Sequence, residues 1–214
     1  EVNESSFTDG DGQKRLSSIS SGNDRFSTRL NSETSEWESG DAIGIYMFDT
    51  EDKNVLNDAL NVKYATAGEG RTVNFSSNPG IAIYDMPTNF VAYYPYNTAA
   101  DVIDVTAALY KVDLSDQSDG VSAHDLMWAK AANQSTESLL AGGLAFTFHH
   151  QLVLLRVNIT NENVSSVTSV TVGGMNTTAT FNLIDGTLGN MDTQKSIDLQ
   201  KTGDKSFIGI MLPA

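Results

Sequence analysis

Val153-Leu154-Leu155-Arg156-Val157-Asn158-Ile159-Thr160 alternates apolar and polar side chains with a period of two. Extended, it sets Leu155, Val157 and Ile159 on one face and Arg156, Asn158 and Thr160 on the other, the signature of a half-buried β-strand. Wound as a helix, the same residues would scatter around the axis. Further strand-like runs lie on both sides of it. Upstream are Ile43–Phe48, Val62–Thr66, Thr72–Ser76, Ile81–Tyr84, Phe90–Tyr94, Tyr110–Leu114, Leu126–Ala129 and Leu144–Phe148. Downstream are Val167–Val172, Thr178–Ile184, Ser196–Leu199 and Ser206–Leu212. In the run from Ile43 both alternating sets are apolar or small, which predicts a strand covered on both faces.

Turn chemistry punctuates these runs at Ser39-Gly40-Asp41, Asn78-Pro79-Gly80, Gly142-Gly143, Gly173-Gly174, Asp185-Gly186 and Gly189-Asn190. Gly and Asn tolerate positive φ, so each is expected to close a tight connection. Helix is scarce, with a short one expected within Thr98–Leu109 and a single turn within His149–Leu154. The fold expected is all-β: a two-layer antiparallel sandwich over residues 36–214 with little helix. Residues 1–35, rich in Ser, Asn, Asp and Gly, are expected to bury little and to be partly mobile, with Arg25–Leu30 as a first strand. No repeat of about 20–50 residues points to a propeller or solenoid.

Among 214 residues, 13 Lys and Arg face 27 Asp and Glu, a formal charge of −14. Such a chain is repelled by phosphate backbones, which excludes nucleic acid as a partner, and it has no electrostatic attraction to an anionic bilayer. Cysteine is absent, which removes disulfides, thiolate metal sites and a cysteine nucleophile. Ser, Thr and Asn number 59, a surface chemistry typical of exported β-proteins. The chain opens on Glu1 with no apolar leader, so an export signal or lipid-anchor cysteine is expected to have been removed. The strand-like run Phe207–Leu212 stops just short of Ala214, and a further C-terminal portion is expected.

Nothing signals catalysis or a cofactor. The histidines are His124 and the adjacent pair His149 and His150, which a strand would point to opposite faces, so a zinc set is not indicated. Asp9-Gly10-Asp11-Gly12 begins like a calcium loop, but Lys14 and Ser20 stand where glycine and glutamate are required. Asp113, Asp116 and Asp119 read as a solvated loop. No G-x-S-x-G elbow occurs. Tyr93, Tyr94, Tyr96 and Trp128 are the candidate contacts for a glycan, against the commoner outcome of aromatics packed in a core.

Four segments share an order and spacing: Trp37-Glu38-Ser39-Gly40-Asp41-Ala42-Ile43-Gly44-Ile45-Tyr46, Phe90-Val91-Ala92-Tyr93-Tyr94-Pro95-Tyr96, Asp125-Leu126-Met127-Trp128-Ala129-Lys130, and Phe146-Thr147-Phe148-His149-His150-Gln151-Leu152. Together they resemble the fimbrillin family, exported surface lipoproteins and pilus subunits of anaerobic Gram-negative bacteria. The resemblance implies a transthyretin-like sandwich followed by a second sandwich, lipid anchoring at the outer membrane, and location in a fimbrium. It implies no enzymatic activity and, as partners, other fimbrial subunits joined by strand exchange, together with a host protein or glycan receptor. In that scheme a protease cuts after an arginine, an N-terminal strand leaves, and a neighbour's strand fills the groove. Arg15, Arg25 and Arg29 are the candidate processing residues. Phe26 and Leu30, or Phe207 and Met211, are the candidate apolar residues of the exchanged strand or its groove.

Overall fold

The doubly apolar run from Ile43 becomes a central strand. In the computed structural model, which describes residues 14–21 and 36–213 (Thr193 by its backbone only), Ala42–Phe48 is buried from Ile43 onward. In chain order the strands are β1 Arg15–Ser21, β2 Ala42–Phe48, β3 Val62–Thr66, β4 Asn74–Ala82, β5 Thr88–Tyr94, β6 Ile103–Asp104, β7 Leu109–Asp113 and β8 Met127–Gln134. Helix α1, Thr136–Gly142, follows. Then come β9 Leu144–Phe146, β10 His149–His150, β11 Val153–Asn158, β12 Thr171–Asn182, β13 Thr187–Asp198, β14 Gln200–Gly203 and β15 Ser206–Met211.

The described residues fall into two units, one of 14–21, 36–97 and 128–149, the other of 98–127 and 150–213. The first carries an eight-stranded sheet of order β10-β8-β5-β2-β3-β4-β1-β9. Its core gathers Trp37, Tyr46, Tyr64, Phe75, Phe90, Tyr93, Phe146 and Phe148, each at most 1% exposed. The second carries two sheets, β11-β15-β14 and β13-β12-β7-β6. There β15 is paired on both edges, and beyond the short β14 the Gln117 side chain continues the ladder. Its amide donates to Ile210 O at 2.7 Å, and its oxygen accepts Ile210 N–H at 2.8 Å.

Several expectations change. Thr98–Leu109 forms turns and the two-residue β6, not a helix, because its β-branched Val102, Ile103 and Val105 are poor helix formers and Ile103 pairs with Tyr110. His149–Leu154 is divided between β10 and β11 instead of making a helical turn. The one α-helix among the described residues, α1, is capped by Ser135, whose hydroxyl accepts Ser138 N–H at 3.1 Å. At two turns it is too short for apolar periodicity to announce it.

Gly173-Gly174 and Gly189-Asn190 do not end strands. They sit in two bulges of the β12–β13 ribbon, with Gly174 at φ 76° and Asn190 at φ 50°. The positive φ is used as read, to take up an extra residue instead of reversing the chain. Asp185-Gly186 makes the reversal, with Gly186 at φ 75°. Asn78-Pro79-Gly80 likewise lies inside β4. The N-terminal stretch buries more than expected, since Leu16, Ile19 and Ser21 are at most 3% exposed. Arg25–Leu30, expected as the first strand, lies outside the described residues, and the first strand described is β1. Pairing is not uniformly antiparallel either, because β1 runs parallel to β9.

Candidate functional site

A serine-rich strand gains little from its own side chains, so β1 owes its place to its neighbours. It lies between β4, antiparallel, and β9, parallel, and both of its edges are therefore occupied. Ile19 stands opposite Phe75 on β4 and Leu144 on β9, and Ser21 beside Phe146. Burying Leu16 and Ile19 contributes about 1.5–3 kcal/mol each.

Two anchors fix the strand along its length. At one end, the β1–β4 register breaks between Leu16, opposite Ile81, and Ser18, opposite Ser76, so that Ser77–Gly80 all face the single Ser17. Proline lacks an N–H, and such a bulge accommodates it. The gap in the ladder is bridged from β3: the Tyr64 hydroxyl accepts Ile81 N–H at 2.9 Å and donates to Leu16 O. Gly80 lies so close to β1 that a Cβ there would stand 1.9 Å from Leu16 O. At the other end, Ser21 N donates to Val73 O at 3.0 Å and the Ser21 hydroxyl accepts Val73 N–H at 3.0 Å.

Burial pushes the Tyr64 phenol up to about 12, and the Ile81 N–H opposes that only in part. A phenol whose folded pKa lies above its unfolded value of 10.0 stabilises the fold fully below pH 10, and that stability is lost as pH rises towards 12. Alkaline titration is therefore expected to show stability falling between about pH 10 and 12, and Tyr64→Phe to make the fall shallower. Urea unfolding at stepped pH measures both; an unchanged slope in Tyr64→Phe would refute the assignment. Tyr110 is also raised to about 12 by burial and adds to the same slope.

The candidate residues from the sequence are dispersed. Arg15 lies on β1, half-buried, with Nη1 donating to Gly80 O at 3.3 Å, and so is not in a loop. Arg25, Phe26, Arg29 and Leu30 lie outside the described residues. Phe207 and Met211 are buried on β15, which has neighbours on both sides and offers no open groove. Tyr93 and Tyr94 are core residues, out of reach of a sugar: the Tyr93 hydroxyl is 2.7 Å from Asn61 Oδ1, and Tyr94 packs edge-on to Trp37. Tyr96 and Trp128 are half-buried, and Lys63 Nζ stands over the Tyr96 ring at 5.5 Å. The sequence reading missed Leu16, Ile19, Ser21, Tyr64 and Gly80. Their only sequence signal is a pair of apolar residues three apart in a serine run, which matches no strand period.

His124 and His150 pair with carboxylates, at 2.7 Å to Asp119 and to the buried Asp125 respectively. Among the described residues no group of three or more His, Asp or Glu could hold a metal ion.

Comparison with known proteins adds a lineage. The pattern of the fimbrillin-like family matches residues 28–214. A Bacteroides uniformis protein that bears the name fimbrium subunit Fim1C is 35% identical over 205 residues, covering 89% of this chain. The chain spans 62% of that relative's length. A crystal structure from Bacteroides uniformis, named as a cell adhesion protein, superposes with a TM-score of 0.74 at 32% identity, over 97% of this chain and 77% of that one. Another, from Bacteroides ovatus, shares the fold with a TM-score of 0.58 at 23% identity, over 83% and 69%.

Proposed function

Because the chain belongs to the fimbrillin-like family, we propose that it is a non-enzymatic fimbrial subunit of the cell surface, assembled by proteolysis-triggered strand exchange with β1 as the strand that leaves. One observation carries this: β1 is an interior strand, paired on both edges. Its departure would bare backbone N–H and C=O groups on β4 and β9 and uncover the sides of Phe75 and Phe146. The cut falls after Arg25 or Arg29, between β1 and Trp37, and not after Arg15 within the strand.

The energetics suit a durable joint. An incoming strand recovers several hydrogen bonds at roughly 1 kcal/mol net each. It also buries alternate apolar groups at roughly 1.5–3 kcal/mol each, less the cost of ordering the strand. The transthyretin-like two-layer sandwich, lipid anchoring at the outer membrane and attachment to a host receptor belong to the same proposal, supported by the family resemblance.

Treating the full-length gene product with an arginine-specific protease is expected to yield SDS-resistant ladders. Arg25→Ala combined with Arg29→Ala should abolish them. Complete cleavage after these arginines without any oligomer would overturn polymerisation by this route.

A further inference from the structure

The two anchors of β1 lie a fixed number of residues apart, and that separation is itself information. Leu16 is held where the Tyr64 hydroxyl reaches its carbonyl and Gly80 leaves room for the backbone. Ser21, five residues on, is held by both polar groups of Val73, which is 6% exposed. Between them only Ile19 is buried, while Ser17, Ser18 and Ser20 stay half-buried. The slot thus has an apolar seat, a second apolar seat three residues later, and a hydroxyl seat two residues after that.

We propose that the β1 slot selects its occupant by this spacing, accepting an extended segment with apolar residues three apart followed two residues later by Ser or Thr, with Tyr64 and Gly80 as the specificity-determining residues. The inference rests on the strand-exchange reading and adds to it the chemistry of the partner strand.

The physical reason is that a strictly alternating strand cannot use both ends. Apolar residues two or four apart that satisfy the Leu16 seat miss the Ile19 seat by one residue, and a one-residue slip turns a side chain to the opposite face. A segment one residue shorter between the anchors must give up either the Tyr64 bond to its carbonyl or the hydroxyl bond to Val73. Giving up the second leaves a buried N–H without a partner. Gly80 excludes the alternative of sliding β4 past the occupant, because its backbone already touches the strand.

The test uses the full-length gene product cut by an arginine-specific protease, which is then fully inhibited before excess fluorescent peptide is added. One peptide has the sequence of Lys14–Ser21, and a second is identical but lacks Ser18. Fluorescence anisotropy is expected to show the native peptide binding and the shortened one at least about tenfold weaker. In Tyr64→Phe the native peptide should weaken by about tenfold and the gap between the peptides should narrow. A ratio below tenfold with both peptides bound would overturn the spacing rule while leaving strand exchange intact. Binding of neither peptide to the cut protein would overturn both.

Discussion

Gly80→Ala is expected to unseat β1 and to lower the free energy of unfolding by about 3 kcal/mol or more. The added Cβ would lie 1.9 Å from Leu16 O, 2.4 Å from Leu16 C and 2.7 Å from Ser17 N. All three are backbone atoms, so no rotamer change relieves the clash. Either β4 or β1 must shift, and a shift of β1 breaks the Tyr64 bond and lifts Leu16 from its seat. Gly173→Ala is the control, since its Cβ would meet only Ser196 Oγ at 3.6 Å, and it should stay within about 0.5 kcal/mol of the parent. Urea unfolding gives the difference, and hydrogen exchange at Ile19 reports whether β1 has become the weak element. A Gly80→Ala protein as stable as the control would mean that β1 does not lie against Gly80.

Trp37→Ala is expected to cost about 3–5 kcal/mol. The indole is 1% exposed and receives three rings edge-on: Phe75 at 5.0 Å, Tyr94 at 5.3 Å and Phe148 at 5.4 Å. These come from β4, from β5 and from the segment after β9, so one side chain ties together distant parts of the first unit. Removing it leaves a cavity bordered by aromatics that are themselves fixed. Trp37→Phe should cost less than half as much, because the indole N–H has no partner among the described residues and its loss forfeits no hydrogen bond. Far-UV circular dichroism during urea unfolding separates the two substitutions. Equal costs would show that a phenyl ring recovers none of the indole's packing and would overturn this expectation. The same ring opens the part of the chain that follows the proposed cut, where Trp37 exchanges backbone bonds with Gly70 at 2.9 and 3.0 Å. Trp37 itself is thereby fixed to the Gly70 backbone.

Side-chain pattern was a reliable guide where one element carried its own signal. The alternation at Leu155 and Val157 became β11, with both residues half-buried on an edge strand and Val153 49% exposed, while Ile159 and Thr160, read as part of the same run, lie just past its end. The doubly apolar Ile43–Phe48 became β2, covered throughout. Positive-φ preference was also legible, but its use was not: Gly186 turns a hairpin whereas Gly174 and Asn190 fill bulges. Whether an extra residue reverses a strand or kinks it depends on the strand across from it.

The candidate site was the least legible part. Leu16 and Ile19 are three apart, which fits neither a one-faced strand nor a helix longer than a turn, and the serines around them carry no apolar signal. Tyr64 is legible in the sequence only as a member of the strand-like run Val62–Thr66. Its hydroxyl matters only because the β4 bulge leaves a gap beside Leu16 that a residue of β3 can reach.

Sequence by itself determined that this chain is β-rich and strongly acidic, and which residues are apolar enough to be buried, because those properties reside in single side chains and their local period. Tertiary structure alone decided that a serine run becomes an interior strand, that β9 lies parallel to it, and that Tyr64 and Gly80 shape its seat. Those outcomes depend on backbone hydrogen bonds and close approaches between segments far apart in the chain, and a peptide group pairs alike whatever side chain it bears.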